Sequence, residues 1–266
     1  MKSKQLVVVA VIIMLVTALV MSQSTNTNYI KQSVIISKHQ KKIEQIIVKN
    51  QSKIPILMYH AFSETNSELC VSPKDFALQM QWLADNNYSP ITLKQLYEHW
   101  NNKSPIPTKP IVLTFDDGYL DNYTVAYQEM KKHGFVGVLF IYADKFNRGN
   151  NVTIEQVKEM YDYGWEIGNH SYYHRELTRV NDTALITETK TAKTKLVELT
   201  GAEITSFCYP AGKYNDKVIE AVKNSEHIIA VTTNYGYSKL DQGILSLSRV
   251  RINRSDKLKG YIRKLS

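Results

Sequence analysis

The chain has 266 residues, a formal net charge of +8, 43% hydrophobic and 22% charged residues. This composition is ordinary for a globular protein. No nucleic-acid-binding motif accompanies the positive charge, so nucleic acid is excluded as the expected partner and no protein partner is expected. Much of the basic excess lies in the first 53 residues and after Arg249, which suits contact with anionic cell-envelope material or a membrane surface.

Lys2 and Lys4 precede an apolar run over 6–21, the pattern of an export signal. Its length falls between a signal-peptide core and a full membrane span. No A-x-A site follows, which tips the reading of residues 1–21 from cleaved signal peptide towards membrane anchor, and no Cys follows, which excludes a lipoprotein. The body is therefore expected outside the cytoplasm, secreted or anchored at the cell surface. Residues 22–52 read as a basic spacer, polar at first, then with Ile43, Ile46 and Ile47 at helical spacing among lysines. Residues 53–266, about 210 residues, suffice for one domain with its own core. Cys70 and Cys208 are far apart in sequence, and export permits a disulfide without requiring one.

The domain opens with a strand over 54–59 that ends at His60. Ser72-Pro73 caps a helix whose Phe76, Met80 and Leu83 recur at helical spacing, and Thr92 with Gln95 forms a capping box for a second. A proline-rich loop leads to the strand 111–115. The rest alternates: a helix over 124–132 closed by Gly134, a strand over 136–142, and a helix capped by Thr153 and Gln156 that stops at Gly164. A short extended stretch over 165–168 then delivers His170. A long helix over 182–199 ends at Gly201, and a strand over 204–208 turns at Tyr209-Pro210-Ala211-Gly212. A helix over 216–223, strands over 228–232 and 247–252, and a final helix complete the chain. Such alternation argues for an α/β fold with a parallel sheet, open or closed into a barrel. In either form the site lies at the carboxyl ends of the strands. His60, Asp116, Asp117, His170 and Pro210 all follow expected strands.

The chemistry begins at Thr114-Phe115-Asp116-Asp117-Gly118. Two adjacent carboxylates at the end of a buried strand are costly as ions unless partnered, and a metal ion is one suitable partner. A turn with an Asp helix cap is the competing reading. His170 and His174, four apart, face one way if they share a helical turn. With Asp117 they make a two-His, one-carboxylate set that leaves room for water and substrate, a pattern that suits zinc and also non-haem iron.

Thr114–Gly118 together with His170-Ser171-Tyr172-Tyr173-His174-Arg175-Glu176-Leu177 resembles the first two motifs of the polysaccharide deacetylases, the NodB-homology family (carbohydrate esterase family four). The resemblance covers about residues 53–255 and implies a distorted (β/α) barrel. It also implies a metal-dependent hydrolase that removes N-acetyl groups from an extracellular N-acetylglucosamine polymer, poly-β-1,6-N-acetylglucosamine or peptidoglycan. Carried over, Asp117, His170 and His174 hold the metal, usually Zn2+ though another divalent ion is possible, and Asp116 is the general base. Ser171 supports the histidine loop or makes a local turn bond. In the third motif, Cys208-Tyr209-Pro210-Ala211-Gly212, the Ala211 backbone N–H stabilises the oxyanion.

The sequence departs from the family pattern in three places. Cys208 stands where many relatives have an Arg that orients the base. Arg249 or Arg251 offers the missing charge, but an arginine on a strand reads first as a surface residue. Neither the Asp-Trp pair of the fourth motif nor the leucine-histidine motif near the C-terminus has a counterpart. His60 takes the general-acid role instead, by similarity to the poly-N-acetylglucosamine subgroup. Tyr172, Tyr209 and Tyr235, with Tyr173 and Tyr237 nearby, are expected near the site as platforms for sugar rings. The departures keep a second reading open, a catalytically silent glycan-binding module of the same fold.

Overall fold

The structure, a computed structural model, describes residues 53–102 and 104–265, together with residues 35, 37 and 38. The chain divides into two units, residues 1–50 and residues 51–266. In the first, Ile35, Ser37 and Lys38 are helical. The apolar run over 6–21 and Ile43, Ile46 and Ile47 of the spacer lie outside the described residues.

In the second unit, β1 (Ile56–Tyr59), β5 (Pro110–Phe115), β6 (Val138–Ile141), β7 (Glu166–Asn169), β8 (Ser206–Cys208), β9 (Ile229–Tyr235) and β10 (Leu247–Arg251) follow one another around a parallel sheet. The sheet closes because β1 pairs with both β10 and β5. The result is a closed seven-stranded parallel barrel, as the resemblance implies. Three two-residue strands are additions: β2 (Ala61–Phe62) and β3 (Cys70–Val71) pair with each other, and β4 (Ser89–Pro90) lies on the edge of β5. Strands this short have no periodicity for a sequence to display.

The period-two alternation of β-strands divides the core. One set of strand residues, including Ile56, Val112, Phe140, Val231 and Leu247, fills the barrel together with Ile91, Leu93 and Leu96. The latter belong to the approach and first turns of α2 (Leu93–Asn102), which plugs the amino-terminal mouth. The alternate set, including Leu57, Leu113, Leu139, Ile167 and Val250, meets the surrounding helices. These include α1 (Pro73–Asp85), capped by Ser72, and α4 (Ile154–Tyr163), which starts in the expected Thr153–Gln156 capping box. A smaller cluster joins Phe207 and Ala230 to α6 (Asp216–Asn224). Helix α7 (Lys257–Lys264) closes the chain.

Two helices are less regular than their spacing predicts. Helix α3 is π-helical over Asn122–Tyr127 and α-helical over Gln128–Lys132. Helix α5 is α-helical over Asp182–Ile186 and Ala192–Thr200 but π-helical over Thr187–Thr191 between them. A π segment widens one turn and re-aims its side chains, and such segments are frequent at functional sites.

Candidate active site

Strand β5 delivers Asp116 and Asp117 together, and the backbone sends them apart. Asp116 continues the strand, with its N–H bonded to the Tyr59 carbonyl at 3.0 Å, and is 2% exposed. Asp117 has a φ of 78°, a left-handed conformation that Asp tolerates better than most residues. Gly118 follows at φ 67°, and a Cβ there would lie 2.8 Å from the Ile141 side chain, so the turn requires glycine.

Asp116 is gripped by Arg249. Nη1 donates to Oδ1 at 2.8 Å and Nη2 to Oδ2 at 2.7 Å, a bidentate pair. The remaining donors are also used: Nη1 to Thr114 Oγ1 at 2.9 Å and Nε to the Thr232 carbonyl at 2.8 Å. Arg249 is 1% exposed, which corrects its reading as a surface residue. The physical reason is parity: Arg249 shares the inward face of β10 with Leu247, which lies in the barrel interior. The small Cys208 side chain leaves room for the guanidinium, its Sγ 3.2 Å from Nη2 and 3.6 Å from Asp116 Oδ2. Both cysteines are free thiols. Burial alone would raise the Asp116 pKa, but the Arg249 charge and its hydrogen bonds reverse the shift and hold the carboxyl below its usual range.

His60 lies on the other side of Asp116, Nε2 3.9 Å from Asp116 Oδ2. Burial lowers its pKa against the upward pull of Asp116 and Asp117. The segment after the carboxylates fixes its backbone: Asn122 Nδ2 donates to the His60 carbonyl at 2.6 Å, and the Phe62 N–H donates to Asp121 Oδ2 at 2.9 Å.

Asp117 Oδ1 lies 3.5 Å from His170 Nε2 and 3.4 Å from His174 Nε2. His170 and His174 meet on an irregular loop with Ser171 at φ 74° and His174 at φ 59°, not on the helical turn that their spacing suggested. The Ser171 hydroxyl accepts the His174 N–H at 2.9 Å, so its support of the loop and its local turn bond are one contact. His170 Nδ1 lies 2.7 Å from the Cys208 carbonyl, which only accepts, so Nδ1 carries the proton and Nε2 is left as the ligand atom. The three donor atoms lie within 4.8 Å of one another. Two imidazoles and a carboxylate so disposed fit a divalent metal ion. Asp116, His170 and Cys208 also lie close enough to form a set, but Arg249 already sits against two of its three members.

Ala211 follows Pro210 beyond the end of β8 with φ 52° and ψ 15°. Tyr235, the register partner of Arg249, is 68% exposed at the end of β9. Tyr172 is half-buried against Tyr173, ring centroids 4.5 Å apart. Tyr209 does not offer a sugar platform in this structure: it is fully buried, its hydroxyl donates to the Leu245 carbonyl at 2.9 Å, and its ring stacks on Tyr214. Tyr237 is similarly engaged, its hydroxyl donating to the Lys264 carbonyl at 3.1 Å. Sequence reasoning missed Tyr119, whose phenol lies against Asp117, so that burial and the carboxylate charge raise its pKa.

The comparisons with known proteins agree with this geometry. The family model for polysaccharide deacetylases matches residues 103–243. YxkH of Bacillus subtilis, assigned to the polysaccharide deacetylases, is 34% identical over 208 residues, 78% of this chain and 74% of that protein. A poly-β-1,6-N-acetyl-D-glucosamine N-deacetylase of Staphylococcus epidermidis is 24% identical over 169 residues, 58% of each chain. Among solved structures, the Streptococcus pyogenes deacetylase PplD in complex with acetate superposes with a TM-score of 0.77 at 30% identity, covering 80% of this chain and 98% of that one. With the family match, the fold and the carboxylate–histidine cluster in agreement, the chain belongs to the polysaccharide deacetylase family, hydrolases that remove acetyl groups.

Proposed function

We propose that the protein is an exported, zinc-dependent N-deacetylase of an N-acetylglucosamine polysaccharide of the cell envelope, poly-β-1,6-N-acetylglucosamine or peptidoglycan. The observation that carries the catalytic part is the pairing of a buried, ionised Asp116 with the adjacent Asp117–His170–His174 cluster. The basic residues and apolar run at the N-terminus support export, and the net charge of +8 suits an anionic envelope.

Asp117, His170 and His174 would hold the metal. When bound, a zinc ion polarises the acetyl carbonyl and makes water a nucleophile near neutral pH. The chain's own groups supply the proton transfers. Asp116, kept ionised by Arg249, takes the proton of the attacking water. The Ala211 backbone N–H would stabilise the oxygen on which negative charge develops. His60, with Nε2 3.9 Å from the base, protonates the departing amine, so that water and amide become acetate and a glucosamine amine. Tyr172 and Tyr235 would offer ring surfaces to neighbouring sugars, Tyr235 being 68% exposed at the end of β9.

The silent binding module loses its main support once Arg249 supplies the charge that the third motif lacks. The test is acetate release from β-1,6 and β-1,4 N-acetylglucosamine oligomers by the full chain, metal-stripped and then reloaded with zinc. Zinc-dependent release is expected, lost in His60→Ala on the amide but largely retained on an activated acetyl ester, whose leaving group needs no proton. Metal binding without release from any oligomer would favour the binding module.

A further inference from the structure

We infer that Glu188, a residue outside the ligand set, is the positioning residue that holds the His170–His174 loop in its ligating shape. This rests on the metal-site reading above. The loop cannot hold that shape unaided, because Ser171 and His174 both adopt left-handed backbone conformations, at φ 74° and 59°. Side-chain-bearing residues keep such conformations only where the surroundings impose them. Glu188 does so from behind. Its Oε2 accepts two consecutive loop amides, Tyr172 N–H at 3.0 Å and Tyr173 N–H at 2.9 Å. These are the two residues between the strained positions.

Glu188 is 0% exposed. Its other oxygen, Oε1, faces Arg175 Nε at 3.5 Å, and among the described residues no hydrogen bond closes on it. A buried carboxylate so incompletely matched is a poor device for stability alone. It is a good device for fixing two amides at one point, since a charged acceptor binds N–H groups more strongly than a neutral one. The side chain reaches the loop from the π-helical segment Thr187–Thr191. The segment's other buried member, Thr189, accepts through its carbonyl the Asn169 Nδ2 bond at 3.0 Å, and Asn169 Oδ1 in turn accepts the Ser171 N–H at 2.8 Å. The irregular turn of α5 thus holds the strained loop at its start, through Asn169, and at its middle, through Glu188.

The test measures zinc affinity of the metal-stripped full-length protein by competition with a chromophoric chelator, and the visible spectrum of the cobalt-substituted protein. Glu188→Ala should weaken zinc binding about 10–100-fold, the range for loss of a group that orients a metal ligand, and should alter the cobalt ligand-field bands. Glu188→Gln, which keeps an oxygen for the amides, should recover most of the affinity. Leu196→Ala, a core truncation elsewhere on α5, should lower Tm and leave zinc affinity and the cobalt spectrum in place. Wild-type zinc affinity in Glu188→Ala, or an equal loss in Leu196→Ala, would overturn the inference. If Glu188→Ala does not fold, Glu188→Asp decides: withdrawn by one methylene, it should also lose affinity, and unaltered binding overturns the inference. A wild-type protein that binds no zinc would instead sink the metal-site reading itself.

Discussion

The proposed base side of the site, at Asp116, and its proposed ligand side, at Asp117, use adjacent carboxylates and are built in opposite ways. Asp116 stays in strand conformation and draws its partners from strands, Arg249 on β10 and Cys208 on β8, with Thr114 of β5 in turn accepting from Arg249. Asp117 leaves the strand with positive φ, and its partners His170 and His174 sit on a strained loop. A base needs a fixed charge environment, which the barrel interior supplies. The three donor atoms of Asp117, His170 and His174 are instead brought to one spot by a turn and a loop with positive-φ residues. The two sides should therefore fail differently when broken.

The largest effect should come from separating the two carboxylate roles. Asp116→Asn should lower turnover about 10²–10⁴-fold, the range for loss of a general base, with zinc still bound. His170→Ala should lose the zinc itself. Metal analysis alongside acetate release checks this, and loss of zinc in Asp116→Asn would merge the two sides into one.

Next in size is Arg249→Leu. It leaves a buried carboxylate without its cation, which costs about 3–5 kcal/mol, read as a fall in Tm. With burial then unopposed, the Asp116 pKa rises, so the acid limb of the pH–rate profile should move to higher pH. Adding Asp116→Asn to Arg249→Leu removes both charges and should restore much of the stability in an inactive protein. If the double variant is no more stable than Arg249→Leu alone, the pair is not the unit described.

These predictions also mark which parts of the site were legible in the sequence. The clustering of Asp117 with His170 and His174 was legible because each lies in a motif that follows an expected strand, which brings both motifs to one end of the sheet. The alternation of strands and helices and the capping signals at Ser72, Thr92 and Thr153 were legible from local sequence. Arg249 was not, since its partner lies 133 residues away and an arginine on a strand carries no label for its face. The signal that could have found it is parity with Leu247, whose apolar side chain marks the inward face. Tyr209 failed in the other direction, because proximity to the motif says nothing about which way a ring points. The helical-turn reading of His170–His174 failed because i,i+4 spacing does not distinguish a helix from a loop whose left-handed residues are imposed by long-range contacts.

A smaller effect probes the support behind the ligand loop. His227 Nε2 lies 3.2 Å from Asn169 Nδ2, and Nδ1 lies 3.2 Å from the Val222 carbonyl. Burial lowers its pKa to about 3, with the Lys193 charge adding to the shift. Below the unfolded value near 6.5 the unfolded chain takes up a proton that the folded chain refuses, so stability falls as pH drops through that window. Between pH 6.5 and 5 the loss is about 2 kcal/mol at about 1.4 kcal/mol per unit. His227→Gln removes this contribution, and its Tm should fall less than the wild type's between pH 7 and 5. Parallel slopes would place the acid sensitivity elsewhere.

The smallest effect lies on the base side, where Asp121 secures the backbone after His60. Its carboxyl is raised to about 6 by burial, despite the Phe62 N–H that it accepts. The sign is opposite to that of Asp116. The folded chain holds the proton more readily than the unfolded one, so stability falls as pH rises from about 4 to 6, and the ionised carboxylate is a burden above that. Asp121→Asn keeps an oxygen for the Phe62 N–H and removes the charge. Its Tm should rise about 2–4 °C at pH 7.5, the equivalent of about 1 kcal/mol in a domain of this size after discounting for partial exposure. The gain should shrink towards pH 5. A loss of stability at both pH values would mean that the charge itself grips the Phe62 amide, and that His60 is held by the same kind of buried carboxylate clamp as the histidine loop opposite.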